Sequence, residues 1–331
     1  MAYNKYYLQK KQVSYDNGLT WEDVTPSETR QGEYIDTYQT LAECEGIDYS
    51  TQYLTIESKS NNNLISWKAN NTGLTKTISA STDNGNTWTS YTSTTGGTTI
   101  ATLNSGDTIL LKGLNGQYGN GDGKFNYFTT SGNFNVYGNI MSLTSGDSFE
   151  NASLTNAYTF RNLFSSSSGL TSAENLVLPS TSLTNSCYYA MFYGCTGLTT
   201  APVLSATTLE YGCYWHMFNG CRSLTVAPEL PATTLANFCY SQMFYGCSSL
   251  TTAPVLSATT LANNCYYQMF YNCTSLNYIK CLATYISATM CTYYWLNGVA
   301  ANGTFVKDAS MSSWTTGVSG IPSGWTVIDN S

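Results

Sequence analysis

Charge is what this chain most lacks. Only 10% of its 331 residues are Asp, Glu, Lys or Arg, against roughly 25% in ordinary globular proteins. There are three arginines, Arg30, Arg161 and Arg222, no basic run, and a net charge of −7. Neutralising duplex phosphates takes clustered Lys and Arg, so nucleic acid is not an expected partner. The lone histidine, His216, leaves no two-histidine metal site and no histidine-based triad, and reads as a surface residue. Acids are scattered, with no pair placed for glycosidase chemistry. No run of 18 apolar residues occurs, so no membrane insertion is expected. The opening MAYNKYYLQKKQVSYDNG has neither an apolar run nor a lipid-attachment Cys, so no secretory signal is expected. No catalytic residue, metal or cofactor is assigned.

What is present is apolar and aromatic. Hydrophobic residues make up 42% and there are 27 Tyr, which argues against disorder. Low charge with abundant Tyr, Thr and Asn suits a β-rich extracellular or virion protein. Without a leader, the expectation is a protein that reaches the outside without secretion, as a phage particle protein does when it assembles in the cytoplasm and leaves by lysis.

Residues 198–275 are built on one phrase: LTTAPVLSATTLEYGCYWHMFNGCRS, LTVAPELPATTLANFCYSQMFYGCSS and LTTAPVLSATTLANNCYYQMFYNCTS. Met191, Met217, Met243 and Met269 keep a 26-residue period, as do Cys187, Cys213, Cys239, Cys265 and Cys291. An uninterrupted period predicts units that stack and make nearly the same contacts, a solenoid. Nine of the eleven cysteines lie in this array, at two phases. Each phase stacks into a column of buried, reduced thiols rather than a disulfide framework. The C-x7-C spacing does not suit a tetrahedral metal site.

The fold class expected is mainly β with short helices, in four parts. Residues 1–45 form an N-terminal hairpin module, with strands Tyr7–Val13 and Thr20–Val24 about an Asp16-Asn17-Gly18 turn closed by Pro26. Residues 46–140 form an Ig-like β-sandwich with strands Tyr53–Glu57, Leu64–Lys68, Thr75–Ser81, Thr87–Tyr91, Thr98–Leu103, Thr108–Lys112, Lys124–Thr129 and Phe134–Tyr137. Residues 141–275 are the repeats. In the opening one, Phe160 and Leu163-Phe164 stand 28 residues before Tyr188 and Met191-Phe192. Residues 276–331 hold the last repeat, with Trp295 at the Met place, and a C-terminal cap. There, strands at Gly303–Lys307 and Gly320–Val327, with Trp314 and Trp325, cover the last core and protect the edge.

Within a repeat, Leu204 and Leu209 point inward, and Pro202, Pro228 and Pro254 mark a turn. Cys213, Met217 and Cys221, at i, i+4 and i+8, predict a short helix. Asn263 or Asn264 would cap its start, and Gly194, Gly220, Gly246 and Asn272 its end, in the left-handed conformation. Asn120-Gly121-Asp122-Gly123 reads as a turn rather than a calcium loop.

Two resemblances follow. Ser14–Trp21 and Ser81–Trp88 both fit S-x-D-x-G-x-T-W, which resembles the Asp-box of sialidases and other β-propellers. It is a turn staple, not a catalytic element. The phrase L-T-x-A-P-x-L-x-A-T-T-L…C-Y-x-x-M-F-x-G-C resembles the BspA-type leucine-rich repeat over about residues 141–330. It departs from that pattern in its 26-residue period and in Met-Phe for Ala-Phe. The opening Y-Y-L-Q-K-K-Q-V-S-Y-D-N-G-x-T-W and the ending G-I-P-S-G-W-T-V are similar to proteins of Bacteroidales and of their crAss-like phages. The resemblance implies adhesion to surfaces, glycans or proteins, and no common catalytic residues.

The positions that vary inside the fixed phrase mark the outward face. Tyr189, Trp215, Ser241 and Tyr267 align in one column, and Tyr193, Asn219, Tyr245 and Tyr271 in another, with His216, Gln242 and Gln268 alongside. This aromatic stripe is the candidate ligand-binding site, with sugar stacking as the expected chemistry. The alternative is that these rings are half-buried between coils or pack on a neighbouring subunit. The expected role is a non-enzymatic virion protein, a decoration or fibre. Residues 1–140 would contact other virion proteins, the repeats a host-surface protein or glycan, and copies would associate as a homo-oligomer. A bacterial cell-surface adhesin is the alternative, and a glycan hydrolase a more distant one.

Overall fold

A computed structural model describes residues 48–312 and 314–330, together with the backbone of three short segments nearer the start. The chain is mainly β, with few short helices. It divides into Met1–Tyr49 and Ser50–Ser331.

In the first unit, β1 (Ala2–Lys5), β2 (Lys10–Val13) and β3 (Glu22–Val24) form an antiparallel sheet in that order. The expected hairpin is the β2–β3 pair, with Val13 opposite Glu22. β1 was not anticipated. The Asp16-Asn17-Gly18 turn, Pro26 and the first Asp-box lie outside the described residues.

The second unit begins with β4 (Leu54–Ser58), β5 (Asn63–Ala69), β6 (Thr77–Ser81), β7 (Thr89–Thr92), β8 (Thr98–Leu103), β9 (Thr108–Lys112), β10 (Asn126–Thr130) and β11 (Phe134–Asn139). These are the eight expected strands, with ends shifted by no more than two residues. Period-two patterning explains them. In β5, Asn63, Ile65, Trp67 and Ala69 are buried, while Leu64 is 41% exposed despite being apolar. β10-β5-β8 form one sheet, and β11-β4-β9-β6-β7 run through another. Trp67 and Phe128 of the first and Ile56, Ile109 and Val136 of the second join one core. The β6–β7 turn is the second Asp-box, built as a staple. The Asp83 carboxylate accepts from the Thr87 amide (2.9 Å) and hydroxyl (2.6 Å), Gly85 has φ +86°, and the Trp88 indole donates to Gly85 O. These bonds, the Thr87 hydroxyl foremost, pull the Asp83 carboxyl down to about 2.

Sequence places a boundary at residue 140, but the second sheet does not end there. β12 (Leu170–Ser172) and β13 (Leu176–Val177), both from the first coil, pair in parallel with β11. The amides of Tyr118, Gly119 and Phe128 donate to Thr159, Tyr158 and Leu163 of that coil. A coil buries only one of its flat faces on the next coil, and the sheets cover the other face of the first.

The helix expected over Cys213–Cys221 does not form. The segment is a run of overlapping turns in which every fourth residue is left-handed: Gly212, His216 and Gly220, each with φ between +58° and +77°. Ser186/Ala190/Gly194, Phe238/Gln242/Gly246 and Asn264/Gln268/Asn272 repeat the pattern. Between left-handed residues two side chains point inward, so Cys213, Tyr214, Met217, Phe218 and Cys221 are all buried. Alternate amides bond locally: Cys213 to Glu210 O, Trp215 to Gly212 O, Met217 to Tyr214 O and Asn219 to His216 O. Those between reach the next coil: Tyr214 to Cys239 O, His216 to Ser241 O, Phe218 to Met243 O and Gly220 to Tyr245 O. Both sets satisfy the backbone as fully as a helix would. Holding an L-residue left-handed costs about 1–2 kcal/mol, and the inter-coil bonds over-determine it. Gly194, Gly220, Gly246 and Asn272 are left-handed as expected, but within turns rather than at a helix end. The expected caps Asn263 and Asn264 also serve the stack. The Asn263 side-chain oxygen accepts from the Thr289 amide (2.9 Å), and Asn264 is itself left-handed.

In the extended half, Leu204, Leu209, Leu230, Leu256 and Leu261 are buried. Coils meet there through single parallel bridges, Val226 to Thr252 and Thr252 to Tyr278. Two residues later Pro228 and Pro254 lack the amide that would extend the ladder. At the next equivalent place stands Lys280, and there a four-residue strand, β14 (Tyr278–Cys281), does form. It pairs in parallel with β15 (Gly303–Asp308), and β15 with β16 (Trp325–Asn330). These last two are the expected cap strands. β16 leaves Val327 and Ile328 43% and 47% exposed on the outer edge of this sheet, so the expected protection of the edge stops at β15.

Two columns of rings run through the stack. Tyr118, Phe160, Tyr188, Tyr214, Tyr240, Tyr266 and Trp295 lie with centroids 5.8–6.3 Å apart. Phe128, Phe164, Phe192, Phe218, Phe244 and Phe270 lie 5.5–5.8 Å apart. Planes tilt by 25° at most, the offset-stacked arrangement that aromatic quadrupoles favour. Both columns start on Trp67 in the sheets. The first ends where Trp295 stacks on Trp314. Beside the rings, the thiols of Cys195, Cys221, Cys247 and Cys273 donate to the carbonyls of Phe164, Phe192, Phe218 and Phe244 at 2.9–3.2 Å. All ten described cysteines are free and buried, and burial pushes thiols such as Cys187 and Cys195 up to about 12. They are protonated packing elements; Cys44 lies outside the described residues.

Candidate recognition site

The four-residue turn fixes which side chains face out. Each turn reads left-handed, in, in, out, so Tyr189 and Tyr193 project from one face, followed by Trp215 and Asn219, Ser241 and Tyr245, and Tyr267 and Tyr271. The expected columns therefore exist as backbone positions, but the side chains do not form one continuous stripe. Asn219 is 9% exposed and Ser241 is fully buried. Two aromatic patches result.

The first holds Tyr189, Tyr193, Trp215 and His216. Tyr189 meets Trp215 and His216 edge-to-face, both at 5.5 Å. Tyr193, the most exposed of the group at 42%, meets His216 at 6.1 Å. Trp215 lies against Phe238 at 4.9 Å, and its indole donates to Gln242. The second patch holds Tyr245 stacked on Tyr271 at 4.8 Å and Tyr267 stacked on Tyr293 at 5.5 Å, with Gln242 donating to Gln268. All four rings except Tyr293 are half-buried. Ring faces are thus partly occupied by neighbouring coils.

His216 is half-buried rather than the free surface residue its isolation suggested. It takes a left-handed place (φ +61°), and its Nδ1 lies 3.0 Å from the Asn219 amide nitrogen. An amide nitrogen only donates, so Nδ1 accepts and the proton sits on Nε2. Burial first, then the Arg161 charge, pull its pKa down to about 4, leaving a neutral ring at pH 7.

Arg161, Phe238, Tyr293 and Tyr294 belong to these patches and were missed. Arg161 was reachable. The 28-residue offset that aligns Phe160 with Tyr188 also aligns Arg161 with Tyr189, at the head of the outward column. Its guanidinium lies 4.2 Å from the centre of the Tyr189 ring.

Two open depressions lie elsewhere. One, of about 430 Å³, is lined by Glu150, Leu154, Pro179 and Ser180 among others, with Glu150 its one ionisable group. The other, of about 370 Å³ beside Leu296 and Pro322, has none. Asn120-Gly121-Asp122-Gly123 is a turn closed by the Asn120 side chain, which accepts from the Asp122 and Lys124 amides at 3.1 Å. Among the described residues no group of three His, Cys, Asp or Glu could hold a metal ion, and no helix is long and apolar enough to cross a membrane. No family model matches the chain, and comparison with curated proteins and with solved structures finds no match.

Proposed function

We propose that this is a non-enzymatic structural and adhesive protein of a virion, a decoration or fibre. Its repeats form a solenoid of the leucine-rich-repeat kind, carried on an Ig-like pair of sheets. The observation that carries this reading is the division of labour within each coil. Inward positions are nearly invariant and locked by two ring columns and by amides shared with the next coil, whereas outward positions vary among Tyr, Trp, Asn and Ser. A stiff frame with a variable aromatic face is the arrangement that recognition of an extended surface, such as a glycan, calls for. Weak contacts repeated over many copies on a particle would add by avidity.

A Tyr189/Trp215/Tyr267 triple-alanine variant should lose cell or glycan binding while keeping its fold, and unchanged binding would sink the adhesive role. Mass spectrometry of gradient-purified particles against the host envelope tests the location. Stoichiometric recovery with particles is expected. Recovery only in the envelope would favour a bacterial surface adhesin, the reading to which the BspA-like phrase also lends itself.

A further inference from the structure

We propose that the Arg161 end of the aromatic face is a subsite for the acidic group of a sugar, a carboxylate such as that of a uronic acid. The proposal rests on the reading of this face as a glycan-binding surface and adds a ligand class to it.

Among the described residues Arg161 is a cation without a counter-ion. The ion pairs among the described residues join Lys59 to Glu57, Lys112 to Asp147, Lys124 to Asp122 and Lys307 to Asp329, and none involves Arg161. Its stem lies across Gly119, so closely that a Cβ on that residue would meet it. One terminal nitrogen donates to the Asn120 carbonyl (3.2 Å), and Nε is buried with no partner. A cation withdrawn from water this way is costly unless charge is returned to it. The Tyr189 ring at 4.2 Å returns part of it through its negative face. A carboxylate would return the rest at the terminal nitrogens of the guanidinium, whose planar geometry suits that group.

The neighbours suit a sugar. Tyr189 and Tyr193 carry hydroxyls on the outward face, and His216, held by Asn219, keeps a donor proton on Nε2. The arrangement is polarised: the second patch, around Tyr245 and Tyr267, is built of phenol and amide groups. A carbohydrate chain lying along the coils would therefore place an acidic unit at Arg161 and neutral units further on. With one guanidinium here and a net charge of −7, an acidic sugar is favoured over a nucleic acid strand, which needs a row of cations.

The test is calorimetric binding of the full chain to oligogalacturonate and to its methyl ester, with a single-stranded oligonucleotide as a third probe. The acid should bind about tenfold more tightly than the ester, the scale of one charge-assisted fork. Arg161→Gln should erase that preference, so that acid and ester bind alike, and Arg161→Lys should keep part of it. Near-UV circular dichroism checks that both variants fold. Equal affinity of the wild type for acid and ester, or a preference that survives Arg161→Gln, overturns the subsite alone. Binding of neither sugar overturns the sugar-binding reading with it. Binding of the oligonucleotide in preference to the acid overturns the ligand class.

Discussion

The paired sheets of residues 50–140 and the coils that follow share one core and the same two ring columns, yet they satisfy their backbones differently. In the sheets, strands of four to seven residues pair, and side chains alternate in and out. In the coils no strand longer than a bridge forms between Val226 and Thr252. There the backbone folds back every four residues, giving alternate amides to its own turn and to the next coil. The sheet tolerates varied residues because strand pairing alone sets its geometry. The coil cannot: each turn has two inward places and must match the turn above it. That is why Cys-Tyr and Met-Phe recur and why the period holds at 26.

The sharpest way to break this arrangement is at a ring in mid-column. Phe244 stacks on both Phe218 and Phe270 and is fully buried. Phe244→Ala should cost about 3–5 kcal/mol in urea unfolding. An effect under about 1 kcal/mol, the level of a surface change, would mean that the columns do not hold the coils together.

Lys280→Pro would restore at the last coil the residue the earlier coils carry. It would remove a strand amide from β14, next to β15, and should destabilise by about 2–3 kcal/mol. Protease sensitivity should appear first after residue 280. Resistance equal to wild type would show that proline does not limit strand length here.

One column offers a test with opposite signs in the two regions. In the sheets, the Tyr118 hydroxyl donates to Leu143 O at 2.6 Å and accepts from Asn115 at 3.1 Å. In the coils, the Tyr240 hydroxyl is buried with no partner. Tyr118→Phe should lower stability by about 1–2 kcal/mol, and Tyr240→Phe should raise it by about 1 kcal/mol. Thermal melts of the pair check it, and a loss in both would mean that Tyr240 has a partner.

The smallest effect is on the Asp-box hairpin. Asp83 has its carboxyl lowered from 3.8 to about 2 by the Thr87 and Ser81 hydroxyls and turn amides. A folded value below the unfolded one gives stability present in full above 3.8 and lost as pH falls through about 2. The Thr87 amide resonance should titrate near 2 in the wild type and not at all in Asp83→Asn. A midpoint at or above 3.8 would remove the staple from the account.

Legibility followed the range of the interactions. The strands of 50–140 could be read closely because period two is a local signal with no rival over five residues. The second Asp-box was legible for the same reason: Ser81, Asp83, Gly85 and Thr87 bond one another. The coil could not be read locally. Cys213, Met217 and Cys221 four apart fit a helix of period 3.6 as well as turns of period four, and over nine residues the two hardly diverge. The columns were legible as positions because the fixed 26-residue register aligns them. The sequence could not tell that Ser241 and Asn219 are buried and break the face into two patches.

The sequence by itself determined the stack: an unbroken 26-residue period, two inward pairs per unit, and glycine or asparagine at the last left-handed place of each run of turns. Tertiary structure alone decided that the units are tandem turns, that the sheets cap the first coil, and that Arg161 lies on Tyr189. The physical reason is that half the amides of each run of turns find their acceptors 25 residues away, Tyr214 at Cys239 and Phe218 at Met243. No local window of residues contains both partners.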